Sequence, residues 1–419
     1  MLAKIITVIF IVLTFQSIQA YDYPIKNPLY ATIAGSKQDL NYKVEKAPII
    51  DHHIARTLRP ELPEILWDVT KISFSTAVHR STSIKRNARP LIFIIAGTGG
   101  SYRSDKMQFL QNVFWEAGLH VICLNSPINR GFITNCSTSG YPGISEEDAQ
   151  DIYEVMKKAY SEIRGQIEVS EFYLTGYSLG GLESAFVAKH DESAKFFNFK
   201  KVMLINPPVD VYSSVSILDN YLGTRFKGDK DILTTMMEKM SAYFAVRGEV
   251  GVDEEFLYKM HEISPVTEVE AEKIIGAGFR FSLAEMVFVC DLLHNKQLII
   301  DHQPSIGEPL LPYFKQSLMW SFQDYLDYYL YPYWSTNNPG KTKDDLINQI
   351  SLRSIEAYLK SSDKIALVHN KDDIIMKAGE IEYLQSIFSS RAKIYPLGGH
   401  CGNFSYRPNV EYILNYFTK

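Results

Sequence analysis

From Pro90 onward the chain alternates short apolar runs with amphipathic stretches. The runs "PLIFIIAGTGG", "HVICLNSP", "EFYLTG", "KKVMLINPP" and, far downstream, "KIALVHN" and "AKIYPLGG" are each closed by glycine, proline or asparagine. Runs this short, without polar alternation, suit strands buried on both faces. Between the first two, Met107, Leu110, Val113, Phe114 and Ala117 recur at helical spacing and stop at Gly118, which suits the turn closing a helix. Ala149, Ile152, Val155, Met156, Ala159, Tyr160 and Ile163 make a second helical face. Ser145 and Asp148 precede it as a variant capping box. Further helices are expected through "AGEIEYLQSIF" and at the C-terminus, where Val410, Ile413, Leu414 and Phe417 share a face. Strand and helix in alternation predict an α/β fold: a doubly wound, mostly parallel sheet with helices on both sides.

The alternation breaks near Asp210 and resumes near Ser362, which divides the chain. Residues 90–210 and 363–419 form the sheet core, and 211–362 form a large, mainly helical insertion that caps the strand ends. Residues 21–89, rich in proline and polar side chains with one strand at "VTKISFSTAV", form an N-terminal extension wrapping the core. Aromatics in the insertion, as in "SFQDYLDYYLYPYW", are expected to be core more than pocket.

Residues 1–20 carry Lys4, an apolar run from Ile5 to Phe15 and a polar stretch ending at Ala20, the pattern of a secretory signal peptide. The chain is therefore expected to be exported, periplasmic or extracellular if bacterial, with no stable membrane span once the leader is cut. The alternative is an uncleaved anchor, although the apolar run is shorter than the roughly 20 residues of a spanning helix. Among the 419 residues, 46% are hydrophobic and 22% charged, a globular balance. Without Lys4, 42 basic side chains face 48 acidic ones, and "RSTSIKRNAR" is the only dense basic segment, so no nucleic-acid partner is expected. The four cysteines allow two disulfides, and Cys123 with Cys136, close in sequence, is the pair expected to bridge.

The chemistry centres on Gly176-Tyr177-Ser178-Leu179-Gly180, a G-x-S-x-G pattern set between a predicted strand and a predicted helix. A strand turning straight into a helix strains its apex residue, and flanking glycines avoid collisions there, so Ser178 is pushed into the open. A serine hydroxyl needs a base to remove its proton and an acid to orient that base. Of ten histidines, His400 in "YPLGGHCGNF" follows a predicted strand and a Gly-Gly turn, whereas His52 and His53 lie in the extension, His369 in a strand, and His261, His294 and His302 in the insertion. The acid is Asp372 or Asp373, both just past "ALVHN", with Asp373 favoured. Backbone amides of Leu179 and Thr98 are the candidate oxyanion donors, each worth about 3 kcal/mol in such sites. "GTGGSY" has Tyr102 where a dinucleotide-binding loop needs its last glycine, and no phosphate-binding G-x-x-x-x-G-K-[ST] exists.

On "GTGG", "GYSLGG", "HNKDDII" and "GGH" the chain resembles the α/β-hydrolase superfamily, in particular the serine esterases, lipases and aminopeptidases with a helical cap inserted late in the sheet. The likeness covers about Pro90 to Asp210 and Lys364 to the C-terminus. It implies nucleophile Ser178, acid Asp373, base His400 and oxyanion amides at Thr98 and Leu179. It also implies no metal and no organic cofactor. Many relatives carry His-Gly before the oxyanion loop; here the pair is Ala96-Gly97. The expected activity is hydrolysis of carboxylic esters with an apolar acyl part, through an acyl-enzyme. The rivals are a serine exopeptidase, which wants acids such as Glu254, Glu255, Glu262, Glu268 or Glu270 in the cap for a substrate amino group, and a non-catalytic binding protein on the same fold.

Overall fold

The computed structural model describes residues 21–55, 71–79, 88–222 and 267–419. Eight strands make one sheet: β1 (Ile49–Ala55), β2 (Lys71–Ala77), β3 (Arg89–Ile95), β4 (His120–Leu124), β5 (Val169–Tyr177), β6 (Lys201–Ile205), β7 (Ile365–Asn370) and β8 (Ala392–Tyr395). Their spatial order is β1-β2-β4-β3-β5-β6-β7-β8. The strands from β3 to β8 run parallel to their neighbours, while β1 and β2 are antiparallel. Along β3, Leu91, Phe93 and Ile95 point to one buried layer and Ile92 and Ile94 to the other. That two-sided burial is why the run shows no polar alternation.

The main helices are α1 (Pro28–Ala34), α2 (Asp105–Glu116), α3 (Arg130–Asn135), α4 (Ser145–Ile163), α5 (Leu179–Ala194), α6 (Val211–Tyr221) and α7 (Glu268–His294). One layer packs the expected face of α4 and the apolar side of α5 on the sheet. The other holds Met107, Leu110 and Phe114 of α2 with Ile413 and Phe417 of the C-terminal helix Arg407–Thr418. Gly118, at φ 94°, follows α2 in the left-handed region, as its sequence position foretold.

Three expectations are corrected. The variant capping box does not form: Ile144 is the N-cap of α4, and Asp148 turns back to accept the Gly143 amide at 2.6 Å. Cys123 and Cys136 are not bridged, and all four cysteines are thiols. Cys123 is sealed inside the sheet, where its thiol donates to the Met107 carbonyl at 3.8 Å. The extension does more than wrap the core, because β1 and β2 extend the sheet by two strands. The leader 1–20, Arg80 to Asn87 of the basic segment, and Glu254, Glu255 and Glu262 lie outside the described residues.

The described part of the insertion is helical, and its aromatics build a second core, as expected. Phe322, Tyr325, Tyr329 and Trp334 are buried with one side of α7 and with Tyr141 and Ile144. Each buried polar tip finds a partner: Tyr325 donates to the Pro142 carbonyl at 2.7 Å, Tyr329 to Asp291 at 2.8 Å and Trp334 to Gln349 at 3.1 Å. Buried Arg280 on α7 donates to Asp219 on α6 at 2.6 Å, which ties the two cap helices together. Val215, Leu218, Phe279, Leu283 and Met286 of the described insertion line one cavity with Ser178 at the carboxyl end of β5, where ligands bind in open α/β sheets.

Candidate active site

β5 passes into α5 through a single residue, Ser178, at φ 54° and ψ −125°. A side chain held there costs about 1–3 kcal/mol, so the surroundings must enforce it. They do so with backbone. A Cβ at Gly176 would lie 2.2 Å from the Gly180 carbonyl oxygen, and one at Gly180 would lie 2.2 Å from that of Ile95. Only glycine allows α5 to start this close to the ends of β3 and β5. The Ser178 amide donates to Ile205 at 2.8 Å, anchoring the apex to β6.

His400 sits on the turn after β8. Gly398 and Gly399 take φ values of 149° and 55°, and Asp372 accepts both of their amides at 3.2 and 3.0 Å. The two aspartates part in geometry: Asp372 ties down the turn, and Asp373 faces the imidazole. His400 Nδ1 lies 3.0 and 3.1 Å from the two Asp373 oxygens, and Nε2 lies 2.8 Å from Ser178 Oγ. A carboxylate at Nδ1 requires the proton there, which leaves Nε2 to accept from the serine hydroxyl. Hydroxyl, imidazole and carboxylate then form a line along which a proton can move from Ser178 to His400.

Asp373 is fully buried, and burial alone would raise its pKa. The charge and hydrogen bond of His400, then buried His369 at 3.7 Å and the Ile375 amide at 3.1 Å, outweigh burial and hold the carboxyl below its ordinary range. Asn206 adds a hydrogen bond from Nδ2 at 3.0 Å.

The sequence reading missed several supports. Asn206 follows β6 at φ 47°, and its signal was a lone polar residue ending an apolar strand. Thr32 of α1 accepts the His400 amide at 2.8 Å. A Cβ at Gly399 would come within 2.3 Å of the Pro28 carbonyl, so α1 lies directly against the histidine turn. No local pattern links residues so far apart in sequence.

Thr98 and Leu179 line the same cavity as Ser178 and His400. Leu179 is the first residue of α5, where helix amides lack intrahelical acceptors. With Ala96-Gly97 in place of His-Gly, the Thr98 loop is braced by asparagine and backbone. Asn129 donates to Gly99 at 3.2 Å, Ser126 to Gly100 at 3.0 Å, and Asn125 accepts the Tyr102 amide at 2.8 Å. Gly99, at φ 66°, lies so close to α7 that a Cβ there would reach within 2.5 Å of Ser282 Oγ.

A cavity opens between core and cap. Its walls are apolar, with Ile128, Val215, Leu218, Phe279, Leu283 and Met286 prominent; Asp148 and Glu183 are also among its lining residues. Of the cap acids within the described residues, Glu270 caps α7 with Thr267 and Glu268 bonds Asn27, so neither lines this cavity. Among the described residues no group of histidine, cysteine and acidic side chains is arranged to hold a metal ion, and no helix is long and apolar enough to cross a membrane.

Residues 98–278 match the serine carboxypeptidase family, a stretch containing the serine but neither Asp373 nor His400. No curated protein matches the chain by sequence. Among solved structures, an esterase of the fungus Rhizomucor miehei is 11% identical, with a TM-score of 0.43 over 90% of this chain and 83% of that one. The esterase of the archaeon Pyrobaculum calidifontis is 12% identical, with a TM-score of 0.42 and the same coverage. The acylaminoacyl peptidase of Pyrococcus horikoshii is 10% identical, with a TM-score of 0.42 over 90% of this chain and 42% of that one. Likenesses this weak carry no weight for the substrate. The sheet order and the serine elbow at the end of β5 give the chain an α/β-hydrolase fold, and the stretch 98–278 is similar to serine carboxypeptidases, which supports an enzyme of the serine-hydrolase type.

Proposed function

We propose that the protein is an exported hydrolase of carboxylic esters with an apolar acyl group, working through an acyl-enzyme. Ser178 attacks the ester carbonyl while His400 takes its proton, and the amides of Thr98 and Leu179 hold the oxyanion. His400 then returns the proton to the leaving alcohol. Asp373 fixes the imidazole tautomer and stabilises the imidazolium. Water, activated by the same histidine, releases the acid. The observation that carries this reading is the serine–imidazole–carboxylate line opening into an apolar cavity. Export is supported by the leader sequence of residues 1–20.

Turnover of p-nitrophenyl esters of rising chain length, set beside aminoacyl and peptidyl amides, tests the substrate class. Esters are expected to be faster, with kcat/KM rising with chain length until the cavity is filled. A clear preference for the amides would overturn it. The second reading, a peptidase on the same three residues, is favoured by the serine carboxypeptidase match over residues 98–278.

A further inference from the structure

The cavity wall carries two acidic residues that the hydrolytic steps do not use. Glu183, on α5 about 7.5 Å along the helix from Ser178 at ~1.5 Å per residue, is 1% exposed. Among the described residues, its Oε2 is sealed from solvent without a hydrogen-bond partner. Asp148 of α4 lines the same cavity, and the Gly143 amide bonds one of its oxygens. No ion pair reaches either carboxyl among the described residues. A buried acid left without a partner costs free energy unless a ligand completes it. Two acids lining one cavity, with no ion pair to either among the described residues, suit a ligand that brings its own cation.

We infer that Glu183 and Asp148 form a subsite for a cationic amine, so that the cavity selects amphiphilic substrates whose apolar part bears an ammonium group. The apolar walls take the hydrocarbon, and the two carboxyls take the amine at the α4–α5 side of the cavity. This rests on the reading of that cavity as the substrate pocket of Ser178. A hydrophobic ester without an amine still fits the walls but leaves Glu183 uncompensated, so amine-bearing substrates gain in affinity over neutral ones of equal length.

Calorimetric titration of the Ser178→Ala protein at pH 8 with n-hexylamine, n-hexanol and n-hexanoate separates this inference from the catalytic reading, because no turnover is needed. Hexylamine should bind about tenfold or more tighter than hexanol. Glu183→Gln, added to that background, should bring the ratio close to one, and Asp148→Asn should lower it. Should Glu183→Gln not fold, the ratio in the parent protein and in Asp148→Asn still decides. Hexanol binding as tightly as hexylamine, hexanoate binding tightest, or a ratio unchanged by both substitutions would each overturn the subsite. If hexylamine is selected and the wild-type protein cleaves no ester, the subsite stands and the hydrolytic reading falls.

Discussion

At the scale of single residues the two aspartates after β7 make the sharpest contrast. Both follow the same strand, yet buried Asp373 faces His400 and half-buried Asp372 holds the Gly398 and Gly399 amides. Asp373→Asn would present its amide to Nδ1 and favour the wrong tautomer, so kcat should fall about 10⁴-fold with the fold intact. Asp372→Asn keeps an acceptor for the turn and should cost less than about tenfold; equal losses in steady-state kinetics would refute the assignment. Burial raises Glu183, and Asp148 adds to it; burial also raises Asp148 against the pull of the Gly143 amide. For a carboxyl raised in the folded state, the folded chain holds the extra proton. Its stabilisation is therefore largest below the ordinary carboxylate range and is lost as pH rises toward the folded value. Glu183→Gln should flatten that decline, seen as a Tm that falls less than wild type between pH 5 and 8. Asp373, held low, works in the opposite sense, its contribution being lost as pH falls through its depressed value.

At the scale of elements, the strand–serine–helix junction and the brace from α1 govern the site. A methyl group at Gly180 would press on the Ile95 carbonyl at 2.2 Å, with backbone on both sides and no flexible side chain to move. Gly180→Ala should cost about 3 kcal/mol or more in denaturant unfolding, or prevent folding. A loss below 1 kcal/mol would show that the elbow is loose. Thr32→Ala removes the acceptor of the His400 amide together with the hydroxyl's own bond to the Pro28 carbonyl, and should cost about 1–2 kcal/mol while lowering kcat more than it changes KM. The elbow was legible in the sequence because strand, glycines and helix are contiguous there. The brace was not, since Thr32 and His400 meet only after α1 folds across the far end of the sheet. Asp148 was misread for a related reason. Ser145 and Asp148 have cap spacing, but Asp148 bonds the Gly143 amide and stands in the cavity wall.

For the molecule as a whole, the parallel sheet could be read from uninterrupted apolar runs, because burial on both faces removes polar alternation. The antiparallel β1 was harder to see, since "IIDHHIA" is partly exposed and polar and its pairing with β2 spans an intervening segment. Two cores result, one around the sheet and one in the cap, and the cavity lies where they meet, beside Ser178. On the proposed reading, the cap would set the substrate while the strand ends hold the reacting groups. That division makes the serine the common requirement of every hydrolytic reading. Labelling with a fluorophosphonate probe therefore tests the central claim most directly. Native wild-type protein should take up one covalent equivalent and Ser178→Ala none; an unlabelled native wild type, or equal labelling of both, would contradict it.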